Sequence, residues 1–274
     1  MISSITEISN DLTQHVINSF NENNMTVNES VLQTVLFRTK MELGSDHPIS
    51  QLPYYWCGYG PFCETLRNSF NFYKNHMDTT GGSYSLSLIP DSTNFVNEYP
   101  EIDENILRLV SKGDYVYTGL IRDIYKNFAP LNMIYMFKFK IFSPAQKSNF
   151  CCSDDYIDAF KLCQADFYLN HYNEEYNLIF SQFTTLMELL NDANLVDRCW
   201  CNLQVPIKHL WFTFAEGLRI KAHDSYYDAS CAQWNMQFKD SLSRLGALVN
   251  DVVMDTLPLI DFSNSLGGNA FRHC

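Results

Sequence analysis

Apolar side chains recur at three- and four-residue steps along most of the chain. That is the spacing of helices with one buried face. Ile5, Ile8, Leu12, Val16 or Ile17, and Phe20 predict a helix over residues 3–21. A polar break follows, and Asn28 or Ser30 caps a second helix with Val31, Val35, Leu36 and Leu43, closed at Gly44. Gly60-Pro61 reads as a restart, because proline suits the first helical turn. The third helix then carries Phe62, Leu66, Phe70 and Tyr73. Beyond the Gly81-Gly82 turn, Tyr84, Leu86 and Leu88 alternate as in a strand. Residues 101–128 read as two short helices broken at Gly113, and 130–144 fit a helix or a strand equally well.

The C-terminal half is more regular. Ser153-Asp154 caps a helix to Leu169, and 174–190 is amphipathic through Tyr176, Ile179, Phe180, Phe183, Leu186, Met187 and Leu190. Pro206 opens a helix with Ile207, Leu210, Trp211, Phe214 and Leu218 on one side. Asp224 or Ser225 caps a last long helix through Tyr227, Cys231, Trp234, Phe238, Leu242, Leu245, Val249 and Val252. The expected fold is mainly α. A winged-helix-like part (1–100) precedes a helical domain (101–274), whose antiparallel bundle covers about 153–257. On the last helix Cys231, Met236, Leu248 and Val253 lie partly outside the main apolar line. Either the bundle closes over this excess or a two-fold homodimer does.

Five aromatic rings crowd residues 54–62, in Tyr-Tyr-Trp-Cys-Gly-Tyr-Gly-Pro-Phe. Glycines among rings mark places where the backbone is tightly approached. Tyr54, Trp56, Tyr59 and Phe62 therefore have two readings: turn and core residues, or a partner-binding patch, since Tyr and Trp dominate interface hot spots. The segment 31–75 resembles the SocA/Panacea-type domain. His47-Pro48-Ile49 matches its Gly-x-Pro-hydrophobic segment, and Tyr59-Gly60-Pro61 matches its aromatic approach to a Gly-Pro helix start. The resemblance implies an antitoxin-like or adaptor-like module that works by protein contact. It does not extend to the C-terminal helices.

Composition changes this picture in three ways. Hydrophobic residues at 46% and charged residues at 18% allow a sizeable core. The net charge of −12 is split evenly, with −6 in residues 1–100 and −6 in 101–274. No region offers the basic face that phosphate contacts need, so direct nucleic-acid binding is disfavoured and a basic protein partner fits better. The N-terminal sequence has neither a basic nor an apolar leader segment, and 128–142 is interrupted by Lys138 and Lys140. The expectation is a cytoplasmic protein with reduced thiols and no membrane span. On that expectation the Asn24 and Asn28 sequons are accidental.

Candidate chemistry is sparse. Cys151-Cys152 and Cys199-Trp-Cys201 lack the Cys-x-x-Cys spacing of structural zinc, so inert thiols and no metal are expected, with a four-cysteine site as the alternative. His209 and His223, read as lying on one helix, would stand roughly 20 Å apart and share no metal. Asp154, Asp155 and Asp158 suit a helix N-terminus. Arg219-Ile-Lys-Ala-His223 resembles the Arg/His pair of HEPN ribonucleases, with three residues between where that family has four to six. On that resemblance His223 is the acid or base and Arg219 the phosphate holder. No phosphate-binding or nucleophile motif and no cofactor signature occurs. The expected function is a non-catalytic protein-interaction module of a regulatory or defence system, with an RNA-directed ribonuclease as the alternative.

Overall fold

The structure, a computed structural model, describes residues 4–23, 27–43, 45–75, 99–110, 115–147 and 153–270. The chain is mainly helical, and it groups into two compact units. One holds residues 1–128 and 222–229, and the other holds 129–221 and 230–274. The sequence reading drew its division near residue 100, whereas helices in 100–127 group with the N-terminal ones.

In the first unit α1 (Ile5–Glu22) begins at a reciprocal cap. The Glu7 N–H donates to the Ser4 hydroxyl, and the Ser4 N–H donates to the Glu7 carboxylate. Asn28, one of the two expected caps, opens α2 (Glu29–Glu42) by accepting from the Val31 N–H. Buried positions on α2 include Gln33, Thr34 and Thr39 as well as Leu32, Val35, Leu36 and Phe37, so its inner face is partly polar. His47 caps a 3-10 turn, Pro48–Gln51. Strands β1 (Tyr55–Cys57) and β2 (Gly60–Phe62) form a hairpin, and α3 (Glu64–Asn75) follows. Helices α4 (Pro100–Val110) and α5 (Tyr115–Asn127) complete the run. Arg38 of α2 bonds both Glu42 and Asp123 of α5. The Gly44 stop, the 84–88 strand, Gly113 and Asn24 lie outside the described residues.

One expectation is corrected here. Gly60-Pro61 does not start a helix but forms β2, and α3 begins at Glu64. Phe62 pairs across the hairpin with Tyr55, their rings 5.5 Å apart, and this contact overrides the local preference of proline for a first helical turn.

The second unit opens with a continuous helical segment: α6 (Met133–Met136), a π-helical stretch Phe137–Phe142, and α7 (Ser143–Ala145). The helix-or-strand ambiguity of 130–144 thus resolves as helix. The Ser143 N–H reaches back five residues to the Lys138 carbonyl, and Pro144 has no N–H with which to resume the α ladder onto Lys140. Helices α8 (Asp154–Leu169), α9 (Glu174–Asp192), α10 (Val196–Lys221) and α11 (Cys231–Ala270) follow. Phe137, Phe160, Phe167, Phe180, Trp211 and Phe214 form the core between them. Tyr172 donates to the Phe214 carbonyl at 2.6 Å and Tyr176 to the Leu210 carbonyl at 2.9 Å, so α9 and α10 run in opposite directions.

Two more expectations are corrected. Pro206 lies ten residues inside α10 rather than at its start. An interior proline costs about 3 kcal/mol. Here Cys199, Trp200, Leu203, Pro206, Ile207 and Leu210 form one buried line that carries the helix through it. Tyr227 does not belong to the last helix. Residues Ser225–Ser230 form a 3-10 turn and α11 starts at Cys231.

Gly217 sets the α10–α11 approach. A methyl there would run into the Tyr172 hydroxyl and come within 2.9 Å of the Phe238 ring. The hydroxyl is held by Phe214 and cannot retreat. Helix propensity alone predicts that Gly217→Ala gains about 1 kcal/mol. Overpacking predicts a loss of about 1–3 kcal/mol. We expect the loss, read as a lowered urea midpoint, and a raised midpoint would refute the close contact.

Candidate functional site

The aromatic cluster sits on the hairpin of the first unit, and the structure divides it. Tyr54, Tyr55, Trp56 and Phe62 are buried, whereas Tyr59 is 78% exposed. Trp56 packs edge-on against Phe37 and Tyr125, at 5.9 and 5.4 Å, and Tyr54 against Phe37 at 5.1 Å. Three of the four candidate partner-binding rings therefore build the core. Their turn-and-core reading fits, and only Tyr59 is presented.

The hairpin explains why. Gly58 and Tyr59 turn the chain, and Gly60 follows at φ +114°, a region that side chains rarely adopt. A methyl at Gly60 would also meet the Tyr125 ring at 3.4 Å. Tyr59 is thus at the tip of the turn, where it is exposed. The sheet is extended by a segment from far along the chain. The Trp56 N–H donates to the Ala222 carbonyl and the Asp224 N–H to the Tyr54 carbonyl, each at 2.9 Å. Because Trp56 bonds toward Ala222, its pair with Pro61 is the non-hydrogen-bonded kind. The missing N–H of Pro61 therefore faces the outer edge of β2. That edge is a poor template for an added strand.

Beneath the hairpin, the Gln33 side-chain amide clamps the backbone of Cys63. Its Nε2 donates to the Cys63 carbonyl at 2.9 Å, and its Oε1 accepts from the Cys63 N–H at 3.0 Å. Lys40 donates to the Ser50 and Leu52 carbonyls at 2.7 and 2.6 Å, tying down the approach to β1. Burial pushes its ammonium pKa down. With these elements fixed, a groove of about 230 Å³ lies among Ser30, Thr34, Tyr59, Pro61, Phe62 and Arg67. Arg67 bonds Glu29 at 2.8 Å and stacks over Phe62 at 4.3 Å. A second depression of about 330 Å³ shares Glu29 and Ser30 and continues toward Phe70 and Lys74. Arg67 and Glu29 neutralise each other in the first groove, and Lys74 adds a positive charge at the far end of the second. Apolar rings with a few fixed polar groups suit a peptide surface better than a charged small molecule.

His47 links this region to pH. Its Nδ1 accepts from the Ile49 N–H at 3.1 Å, which requires that nitrogen unprotonated. Burial lowers its affinity for protons from the ordinary 6.5, with the Glu101 charge opposing more weakly. Between 6.5 and the lower folded value, the unfolded chain takes up the proton more readily. His47 therefore contributes stability at neutral pH that fades as pH falls through that window. The expected result is a smaller loss of stability from pH 7.5 to 5 in His47→Gln than in the parent, by urea titration. Equal losses would remove His47 from the account.

The other candidate residues, Arg219 and His223, belong to different compact units. Arg219 lies on α10, donates to Gln237 Oε1 at 2.7 Å and stacks over Trp234 at 4.5 Å. His223 is past the end of α10, so it does not share a helix with His209. Its Nε2 lies 3.2 Å from Asp228 Oδ1, and its backbone bridges Tyr55. Both side chains are held in structural contacts within different units. Cys199 is buried and Cys201 exposed, because a two-residue step on a helix turns the thiols to opposite faces. That pair cannot share a metal, and Cys151 and Cys152 lie outside the described residues. Asp154 and Asp155 occupy the first turn of α8 as expected. Among the described residues no helix is long and apolar enough to cross a membrane. No protein-family model, no curated protein and no solved structure matches the chain.

Sequence reasoning missed the groove. Glu29, Arg67 and Phe62 come from two helices and a strand, and nothing in their spacing joins them.

Proposed function

We propose that this protein is a non-catalytic interaction module, antitoxin-like or a component of a regulatory or defence system, that acts by binding another protein. The observation that carries this reading is Tyr59. A large ring is held out at a rigid hairpin tip over a groove, while its neighbours are spent on the core. Tyrosine supplies much contact area at little entropic cost, which suits a binding anchor. In the same reading residues 1–100 are winged-helix-like, with two helices, a hairpin and a third helix in that order. Residues 153–257 form an antiparallel bundle, and the partner is basic, to match the net charge of −12.

Affinity purification from the native host tests the proposal, using the parent chain beside Tyr59→Ser. The expected result is one co-purifying protein in stoichiometric amount, depleted with the variant. Recovery of the chain alone at native expression would sink it.

A further inference from the structure

Helix α11 outruns its neighbours. Gly217 of α10 lies against Phe238, so the start of α10 at Val196 falls level with about residue 259, given equal rise along both helices. The burial agrees: Leu245, Val249, Val252, Thr256 and Ile260 form the buried inner line, and among the described side chains of α11 none beyond Ile260 is buried. On the opposite side Met254, Leu257 and Phe262 are 70%, 37% and 63% exposed. They follow helical spacing together with Pro258, so they share one outward face. Exposed large apolar side chains grouped on one face mark an interaction surface more often than scattered ones do.

The flanking charge selects the occupant. Asp251, Asp255 and Asp261 are exposed around the same face, and residues 245–270 contain no Lys or Arg. A second copy of this chain would bring the same three carboxylates against them. A segment that alternates cationic and apolar side chains suits both features. We propose that the outward face of α11 around Met254, Leu257 and Phe262 docks a basic amphipathic helix of a partner protein. This rests on the interaction-module reading and assigns it a second surface, apart from the Tyr59 groove.

The test uses the full chain and a fluorescein-labelled amphipathic peptide of repeating Leu-Lys-Lys-Leu, read by fluorescence anisotropy. Met254→Ser with Phe262→Ser leaves the charge unchanged and alters only exposed positions, so folding is checked by circular dichroism and is expected to hold. Binding in the micromolar range is expected, weakened at least tenfold by this pair. Asp251→Asn, Asp255→Asn and Asp261→Asn together should flatten its salt dependence. Equal binding by the parent and the serine pair would mean that the peptide is captured by general acidity, and would overturn the assignment. So would no binding at about 100 μM, a free energy of only roughly 5–6 kcal/mol. A light-scattering mass of twice the chain, lost in the serine pair, would give the face to a second copy instead. Any of these could occur while the Tyr59-dependent partner is still recovered, which separates failure of this surface from failure of the module reading.

Discussion

Replacing Phe137 with alanine is expected to cost about 3–5 kcal/mol of stability, the range for emptying a fully buried phenylalanine site. Phe137 is 0% exposed, and its ring lies 6.1, 5.5, 5.2 and 5.6 Å from those of Phe167, Phe180, Trp211 and Phe214. Those rings come from three other helices, so no single neighbour can move in and fill the space. Each also loses an edge or tilted partner worth about 0.5–1.5 kcal/mol beyond its area. The measurement is urea unfolding followed by near-ultraviolet circular dichroism, which reports the ring packing directly. Phe139→Ala is the control, since Phe139 is on the same segment but only half-buried. A loss under about 1 kcal/mol at Phe137, or equal losses at both sites, would mean that the π-helical stretch is not the keystone of this core.

The second large effect is expected at Tyr227. Its hydroxyl donates to the Pro53 carbonyl and accepts from the Glu64 N–H, each at 3.1 Å. Its ring stands edge-on to Tyr55 at 5.0 Å. Tyr227→Phe keeps the ring and leaves one buried and one part-buried backbone group without this partner, an expected cost of about 1–3 kcal/mol. Tyr227→Ala also removes the ring, and about 3–5 kcal/mol is expected. Hydrogen exchange supplies the site-specific readout. The Glu64 amide should lose protection in Tyr227→Phe while amides in α8 and α9 stay as they were. Uniform loss across the protein, or none at Glu64, would refute the role.

The helices with strong caps and one clean apolar face were legible. Ser4 with Glu7, and Asn28 before α2, signal their helix starts within four residues of sequence. The prolines misled, because their local preference was overruled from outside the window. Pro61 sits between residues already committed to a strand pair, and Pro206 sits on an unbroken buried line. Tyr227 misled differently. It is in helical step with Cys231, Trp234 and Phe238, yet its partners are 163 and 174 residues away in sequence. The exposed ring at Tyr59 could be suspected from Gly-Tyr-Gly-Pro. Which of the neighbouring rings would be buried could not, because Phe37 and Tyr125 decide that from two other helices. The outward face of α11 was not visible in the sequence: the surplus apolar residues marked there were Cys231, Met236, Leu248 and Val253, and Met254, Leu257 and Phe262 stand out only once the end of α10 is located.

Residues 222–229 have a consequence for how the chain comes off the ribosome. The first unit cannot close its sheet or seat Tyr227 until more than two hundred residues have been made. It must therefore wait, with β1 bordered on one side only and the Pro53 carbonyl open to water. Most of the second unit emerges in that interval, and its α8–α9–α10 contacts are local enough to form first. A nascent chain stalled before residue 222 would lack both the segment that closes the first unit and all of α11 of the second. It follows that a gene fragment ending at Phe128 omits part of the unit it seems to encode.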